Sequence, residues 1–172
     1  MRDRLAVIIA TWFGSGLIRP VFLKGLAGTY GSLAALPLCY VTIHMSDEAY
    51  TVILIVIYTI GWWSIPYAET ALGARVDWHG KTKLRDQNQV VIDEVVGMLI
   101  SVYPLIWFSG NRFFQLGVAF AAFRFFDIVK VPPTKYFDEM KTAAGVILDD
   151  VVAGCYAALT LTAYCAVEML WF

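Results

Sequence analysis

Charge is scarce in this chain. Asp, Glu, Lys and Arg make up 16% of its 172 residues, against roughly 25% in an ordinary globular protein. With so few cations and no basic stripe along any segment, a nucleic-acid partner is excluded. Cysteine is scarce too. Cys39, Cys155 and Cys165 lie inside apolar stretches with no C-x-x-C spacing, so they read as small packing residues and not as a zinc site or redox pair. Two histidines in the whole chain leave little for a nitrogen-ligated metal, and His79 reads as a solvated loop residue beside Asp77 and Gly80. A phosphate-binding Walker loop is also absent, since no Gly-Lys-Ser/Thr follows any glycine at the required spacing. No internal repeat or low-complexity tract divides the sequence, so residues 1–172 read as a single domain.

What is there is apolar. Hydrophobic residues account for 59% of the chain and the mean hydropathy is +0.66. A bilayer-crossing helix needs about 20 such residues, with roughly 17 as a lower limit. Five runs approach that length: residues 32–45 (extending back to 29), 49–68, 93–108, 112–126 and 149–172. The first apolar stretch, 5–18, is too short and carries Gly14-Ser15-Gly16, which suits a re-entrant or interfacial segment. Its charged start at Arg2 and Arg4 resembles a signal peptide, but cleavage would leave the next loop on the wrong side. Trp62, Trp63, Tyr67, Tyr103, Trp107 and Trp171 fall near segment ends, where an interfacial aromatic belt is expected. The fold expected is all-α, an integral membrane helical bundle of about five spans plus a short N-terminal re-entrant or interfacial helix.

The cations orient it. Of 13 Lys and Arg residues, five alternating spans place Arg112 on one side and all the others on the opposite side. Cytoplasmic loops carry such an excess, so the N-terminus and the two polar loops, 69–89 and 134–144, are expected in the cytoplasm. Asp86, Asp93-Glu94, Asp127 and Asp149-Asp150 then all gather at the cytoplasmic face. Ionised carboxylates near a bilayer are costly unless neutralised. Their convergence, with Lys, Arg, Ser and Thr close by, is the inventory for holding a metal ion and a phosphate together.

Each constellation has a plainer explanation. Acids such as Asp93 and Glu94 at a helix start complement its dipole. Adjacent carboxylates also point about 100° apart, so one can ligate a cation while the other orients a water. Asp149-Asp150 repeats that pair, again flanked by Val, Ile and Leu. Asp127 ends its helix, where the dipole disfavours an anion, and has Arg124 at i−3 and Lys130 at i+3 as ion-pair partners. Gly25-Leu26-Ala27-Gly28-Thr29-Tyr30-Gly31-Ser32 precedes the first span. Thr29 and Ser32 there would either cap the helix or donate to a phosphate held at its N-terminus. Arg85 and Asp86 would close over such a site or belong to a solvated loop.

These segments, over roughly residues 14–158, resemble the phosphatidylglycerophosphatase A family of bacterial inner-membrane lipid phosphatases. Gly28-Thr29-Tyr30-Gly31-Ser32-Leu33, with Pro37-Leu38 beyond, is similar to the family's P-G-T-x-G-S-L…P segment. Asp86 followed by Val90-Val91-Ile92-Asp93-Glu94-Val95-Val96-Gly97 is similar to D-P-x-x-I-V-I-D-E-x-x-G. Phe123-Arg124-Phe125-Phe126-Asp127-Ile128-Val129-Lys130 is similar to F-R-x-F-D-x-x-K. Gly145-Val146-Ile147-Leu148-Asp149-Asp150-Val151-Val152-Ala153-Gly154 is similar to G-x-G-I-M-x-D-D-x-x-A-G. The chain departs from the pattern at Ala27, Gln87, Val131 and Ala143-Ala144, all in places that shape loops.

The resemblance implies Mg²⁺-dependent removal of the terminal phosphate of phosphatidylglycerophosphate, giving phosphatidylglycerol. It carries over Thr29, Ser32, Asp86, Asp93, Glu94, Arg124, Asp127, Lys130, Asp149 and Asp150. Oxygen ligands without clustered Cys or His suit Mg²⁺. In the expected site Asp93, Glu94, Asp149 and Asp150 hold the metal, with Glu94 alternatively a base for water. Arg124, Lys130, Thr29 and Ser32 bind phosphate, and Asp127 ligates or holds Arg124. The alternatives are a phosphatase for another lipid phosphate and a divalent-cation transporter. A transferase acting on CDP-linked lipids is disfavoured because its D-G-x-x-A-R signature is missing. A transporter needs polar groups running to the outer face, and the outer halves of the spans are nearly all apolar.

Overall fold

A computed structural model describes residues 1–18, 27–73, 75–76, 82–83, 89–140 and 142–171. Gly25, Leu26, Asp77, His79, Arg85 and Asp86 lie outside the described residues. Seven α-helices account for most of the rest. They are α1 (Arg2–Ala10), α2 (Ala27–Thr42), α3 (Asp47–Leu72), α4 (Ile92–Val102), α5 (Arg112–Val129), α6 (Thr134–Glu139) and α7 (Ala143–Trp171). Short 3₁₀ turns occupy Ser15–Leu17 and Tyr103–Ile106. The expectation of an all-helical chain holds apart from a two-residue antiparallel pairing, Arg75 with Lys83 and Val76 with Thr82, inside the polar loop.

Local chemistry sets the helix ends. Ser46 caps α3 by accepting from the Ala49 N–H at 3.3 Å, and Asn111 caps α5 by accepting from the Phe114 N–H at 3.2 Å. Each hydroxyl or amide oxygen satisfies a backbone donor that the helix leaves unpaired. α5 ends at Lys130, which turns into the left-handed region with φ of 50°.

Two helices, α3 and residues 144–170 of α7, are long and apolar enough to cross a bilayer. At 1.5 Å per residue, the 26 residues of α3 extend about 39 Å, beyond the roughly 30 Å of a hydrocarbon core. α4 is different. It has 11 residues, nine of them buried, and the 3₁₀ turn that follows adds four. Its apolar run is covered by protein on nearly every side: α2, α3, α5 and α7 all pack against it. Val95, Met98, Leu99 and Val102 of α4 form the core with Phe123 of α5 and Leu161 of α7.

The outer surface of the bundle is apolar in turn. Val52, Ile55 and Val56 of α3, Phe113, Phe125 and Ile128 of α5, and Leu159, Val167 and Met169 of α7 are exposed. So much exposed apolar side chain over several helices marks a surface that meets lipid.

The N-terminal segment is the short, non-spanning element expected of it. Nine residues of α1 pack along α3, with the Arg2 guanidinium 3.9 Å from the centre of the Tyr67 ring. Its end is tied to the approach to α4, where the Val91 N–H donates to the Ala10 carbonyl at 2.8 Å. At the opposite end of α5, Arg112 Nη1 donates to the carbonyls of Phe108 (2.6 Å) and Leu105 (3.0 Å) and to Gln115 Oε1 (3.2 Å). Gln115, fully buried, donates to Glu168 at 2.9 Å. The odd cation of the charge pattern therefore caps the carbonyl end of a 3₁₀ turn.

Candidate metal and phosphate site

Asp93 and Glu94 occupy the first turn of α4, after Val91 at the N-cap position. The Asp149-Asp150 pair is placed otherwise than the expected span start suggests. α7 begins at Ala143, so these acids lie almost two turns inside the helix. Complementing a helix terminus cannot explain them, because the dipole effect fades within the first turn. The two pairs nevertheless share a local pattern. Asp93 Oδ1 accepts from the Glu94 N–H at 3.1 Å, and Asp149 Oδ1 accepts from the Asp150 N–H at 3.0 Å.

Packing of α7 on α4 brings three carboxylates together. Asp93, Glu94 and Asp150 each offer an oxygen, and these oxygens all lie within 4.8 Å of one another. Asp93 is 8% exposed and Asp150 4%. Three like charges at that spacing repel by about 3 kcal/mol per pair even at an effective dielectric of about 20. One carboxylate oxygen, Glu94 Oε2, is buried with no hydrogen-bond partner among the described residues. A hard divalent cation fits this arrangement. Octahedral Mg²⁺ at about 2.1 Å from its ligands places ligand oxygens about 3 to 4 Å apart, which small side-chain rotations would reach here.

Two ion pairs flank the carboxylates. Arg124 Nη1 lies 2.6 Å from Asp127 Oδ2, and Lys130 Nζ lies 2.8 Å from Asp149 Oδ2. The contact from Arg124 is one of charge, without the angle of a hydrogen bond, and its Nε is buried without a partner among the described residues. Asp149, expected among the metal ligands, thus stands beside the group of three with Lys130 on it. Asp127 keeps Arg124, the i−3 partner its spacing offered.

The first motif reaches the same place through its backbone. A side-chain carbon added at Gly28 would lie 2.5 Å from Glu94 Oε1 and 3.0 Å from Arg124 Nη1. The start of α2 is therefore pressed against the site, with Thr29 half-buried in its first turn. Ser32 is buried and its hydroxyl donates at 2.8 Å to the Gly28 carbonyl, within its own helix. Asp86 falls in the polar loop outside the described residues.

Three acids from two helices, two paired cations and a glycine-lined helix start thus converge. Residues 8–165 match the model of a family described as phosphatidylglycerophosphatase A.

The chain belongs to the phosphatidylglycerophosphatase A family.

It is thereby a phosphoric monoester hydrolase. It is 30% identical to the phosphatidylglycerophosphatase A of Haemophilus influenzae, over 91% of this chain and 86% of that protein. With the phosphatidylglycerophosphatase A of Escherichia coli K12 it shares 29% identity, over 88% of this chain and 78% of the relative. A Bacteroides thetaiotaomicron protein named "Putative phosphatidylinositol-3-phosphatase" is 32% identical over 91% of both chains. No solved structure matches the chain.

Sequence reasoning left out a close contact between the two helices that carry the acids. Gly97 and Gly154 close the two acidic motifs, one helical turn beyond the carboxylates, and they pack against each other. The available signal was an acid pair followed by glycine in each motif, with Gly97 four residues after Asp93 and Gly154 four after Asp150.

Proposed function

We propose that this protein is a Mg²⁺-dependent lipid phosphatase that hydrolyses the terminal phosphate monoester of phosphatidylglycerophosphate at the cytoplasmic face of a bacterial inner membrane. The products are phosphatidylglycerol and inorganic phosphate. The observation that carries the proposal is the meeting of Asp93, Glu94 and Asp150 oxygens within 4.8 Å beside the Arg124–Asp127 and Lys130–Asp149 pairs. Family membership supports the chemistry.

Asp93, Glu94 and Asp150 would hold the ion, with Asp149 next to them. Bound there, Mg²⁺ supplies Lewis-acid polarisation of a phosphoryl oxygen and charge neutralisation. Lys130 turns from Asp149 toward phosphate oxygens, while Arg124 presents the rest of its planar guanidinium, a fork that suits two oxygens at once. Asp127 keeps Arg124 in orientation. Thr29 adds a hydroxyl donor, and the start of α2 contributes its unpaired N–H groups. Ser32 holds the first turn of α2 in shape through the Gly28 carbonyl. Glu94 Oε2, without a hydrogen-bond partner among the described residues, completes the ligand set or takes a proton from the attacking water.

Two long apolar helices, the exposed apolar faces of α3, α5 and α7, and the cation bias support the membrane placement. With α2, α4 and α5 lying among them, five segments would pass through the bilayer. The site would then open at its cytoplasmic edge, where the head group waits and acyl chains stay in lipid.

A second lipid phosphate is a specific alternative, because the relative with 32% identity carries a phosphatidylinositol-3-phosphatase name. The test is phosphate release by the purified, detergent-solubilised protein from phosphatidylglycerophosphate, phosphatidylinositol 3-phosphate and phosphatidic acid, with Mg²⁺ and with EDTA. Mg²⁺-dependent release confined to phosphatidylglycerophosphate is the expected result. Release confined to another lipid would overturn the head group and keep the chemistry.

A further inference from the structure

α4 and α7 run side by side in the same direction, Asp93 and Glu94 meeting Asp150 and then Gly97 and Ile100 meeting Gly154. Among the described residues they form the most extensively packed pair of helices. Their backbones approach closely one turn beyond the carboxylates. A methyl group on Gly154 would lie 2.6 Å from the Gly97 carbonyl oxygen and 3.1 Å from Ile100 Cβ. One on Gly97 would strike the Phe123 ring and stand 2.9 Å from the Asp150 carbonyl oxygen. The obstacle at Gly154 is backbone, which cannot rotate away, so any side chain there must push the helices apart. Small residues at a helix crossing permit this closeness. The Gly97 carbonyl is further fixed by the Ser101 hydroxyl, which donates to it at 2.7 Å.

The spacing ties this contact to the acids. Gly97 is i+4 from Asp93 and i+3 from Glu94, and Gly154 is i+4 from Asp150, so each glycine lies beneath a carboxylate on the same helix face. We propose that Gly97 and Gly154 are positioning residues for the metal: their direct backbone contact sets the helix separation at which Asp93, Glu94 and Asp150 can share one cation. The assignment rests on the metal reading given above. Mg²⁺ demands near-ideal octahedral geometry, so a separation larger by the thickness of a methyl group weakens binding even where all three acids remain.

The experiment measures Mn²⁺ binding by electron paramagnetic resonance in the full chain, without turnover, for Gly154→Ala, Gly97→Ala and Gly117→Ala. Gly117 is the control, since a side-chain carbon there meets nothing within 4 Å. Mn²⁺ affinity is expected to fall at least tenfold in the first two variants, with the Mg²⁺ concentration for half-maximal activity rising in step and Gly117→Ala unchanged. Adding Asp150→Glu to Gly154→Ala lengthens the reach across the widened gap. It is expected to recover part of the lost affinity, although Asp150→Glu alone lowers it.

A merely structural role would lower the melting temperature in EDTA, leave the affinity of the folded protein alone and show no such rescue. Wild-type affinity in folded Gly154→Ala overturns the proposal. If that variant does not fold, Gly97→Ala carries the same test, its methyl meeting a ring that can turn. Failure of the wild-type chain to bind Mn²⁺ would instead overturn the metal reading itself.

Discussion

Asp150 is 4% exposed and faces Asp93 and Glu94 across the α4–α7 seam. With all three ionised, each of those neighbours would repel it by about 3 kcal/mol. Replacing it with asparagine should therefore have opposite effects on stability and on chemistry. In EDTA, Asp150→Asn is expected to raise the melting temperature by the equivalent of about 1–3 kcal/mol. With Mg²⁺ it is expected to cut phosphate release on the order of 10²-fold or more. A lower melting temperature in EDTA would mean that hydrogen bonds, and not a cation, hold this carboxylate in place. Arg124 offers a separate check on the phosphate side. Arg124→Lys keeps the charge but loses the fork, and kcat/KM is expected to drop roughly tenfold while the Mg²⁺ requirement stays put. Steady-state kinetics over a Mg²⁺ series separates the two.

Among the elements, α4 carries the site and α5 closes the far end of the bundle. The network of Arg112, Gln115 and Glu168 lies at the opposite end of α5 from Arg124 and Lys130. Gln115→Leu removes the donor to Glu168 and leaves Arg112 short of an acceptor. It should destabilise the fold by about 1–3 kcal/mol without changing the Mg²⁺ concentration that half-activates the enzyme. Thermal unfolding and a metal titration on the same preparation test both halves. The positions of α2, α3, α5 and α7 were legible in the sequence because long apolar runs broken by Ser46-Asp47 and Asn111 are local signals. The nature of α4 was not. An apolar run reads alike whether lipid or protein covers it, and only the packing of four helices around Val95, Met98 and Leu99 tells them apart. The acids of the site were legible from where they sat, near the ends of apolar runs. Their partners were not, because the i±3 spacing offered both Arg124 and Lys130 to Asp127. The fold gives Lys130 to Asp149, 19 residues away.

For the whole molecule, the proposed cytoplasmic placement of the carboxylates and both polar loops rests on the apolar exterior and the cation bias. Cysteines introduced one at a time in a Cys155→Ala background check this arrangement. In intact cells a membrane-impermeant thiol reagent should label Ser109→Cys, in the turn before α5, and leave Lys135→Cys in α6 untouched until the membrane is opened. Labelling of Lys135→Cys from outside would invert the topology and put the site on the wrong face for a cytoplasmic head group.

The most direct measurement is a Mg²⁺ titration of phosphate release from phosphatidylglycerophosphate, after EDTA treatment, in the wild-type chain and Asp150→Asn. The wild-type enzyme should be silent without metal and recover full activity along a saturable curve, while Asp150→Asn stays near the baseline at every concentration. Equal turnover in EDTA and in Mg²⁺ would contradict a metal-dependent site at Asp93, Glu94 and Asp150.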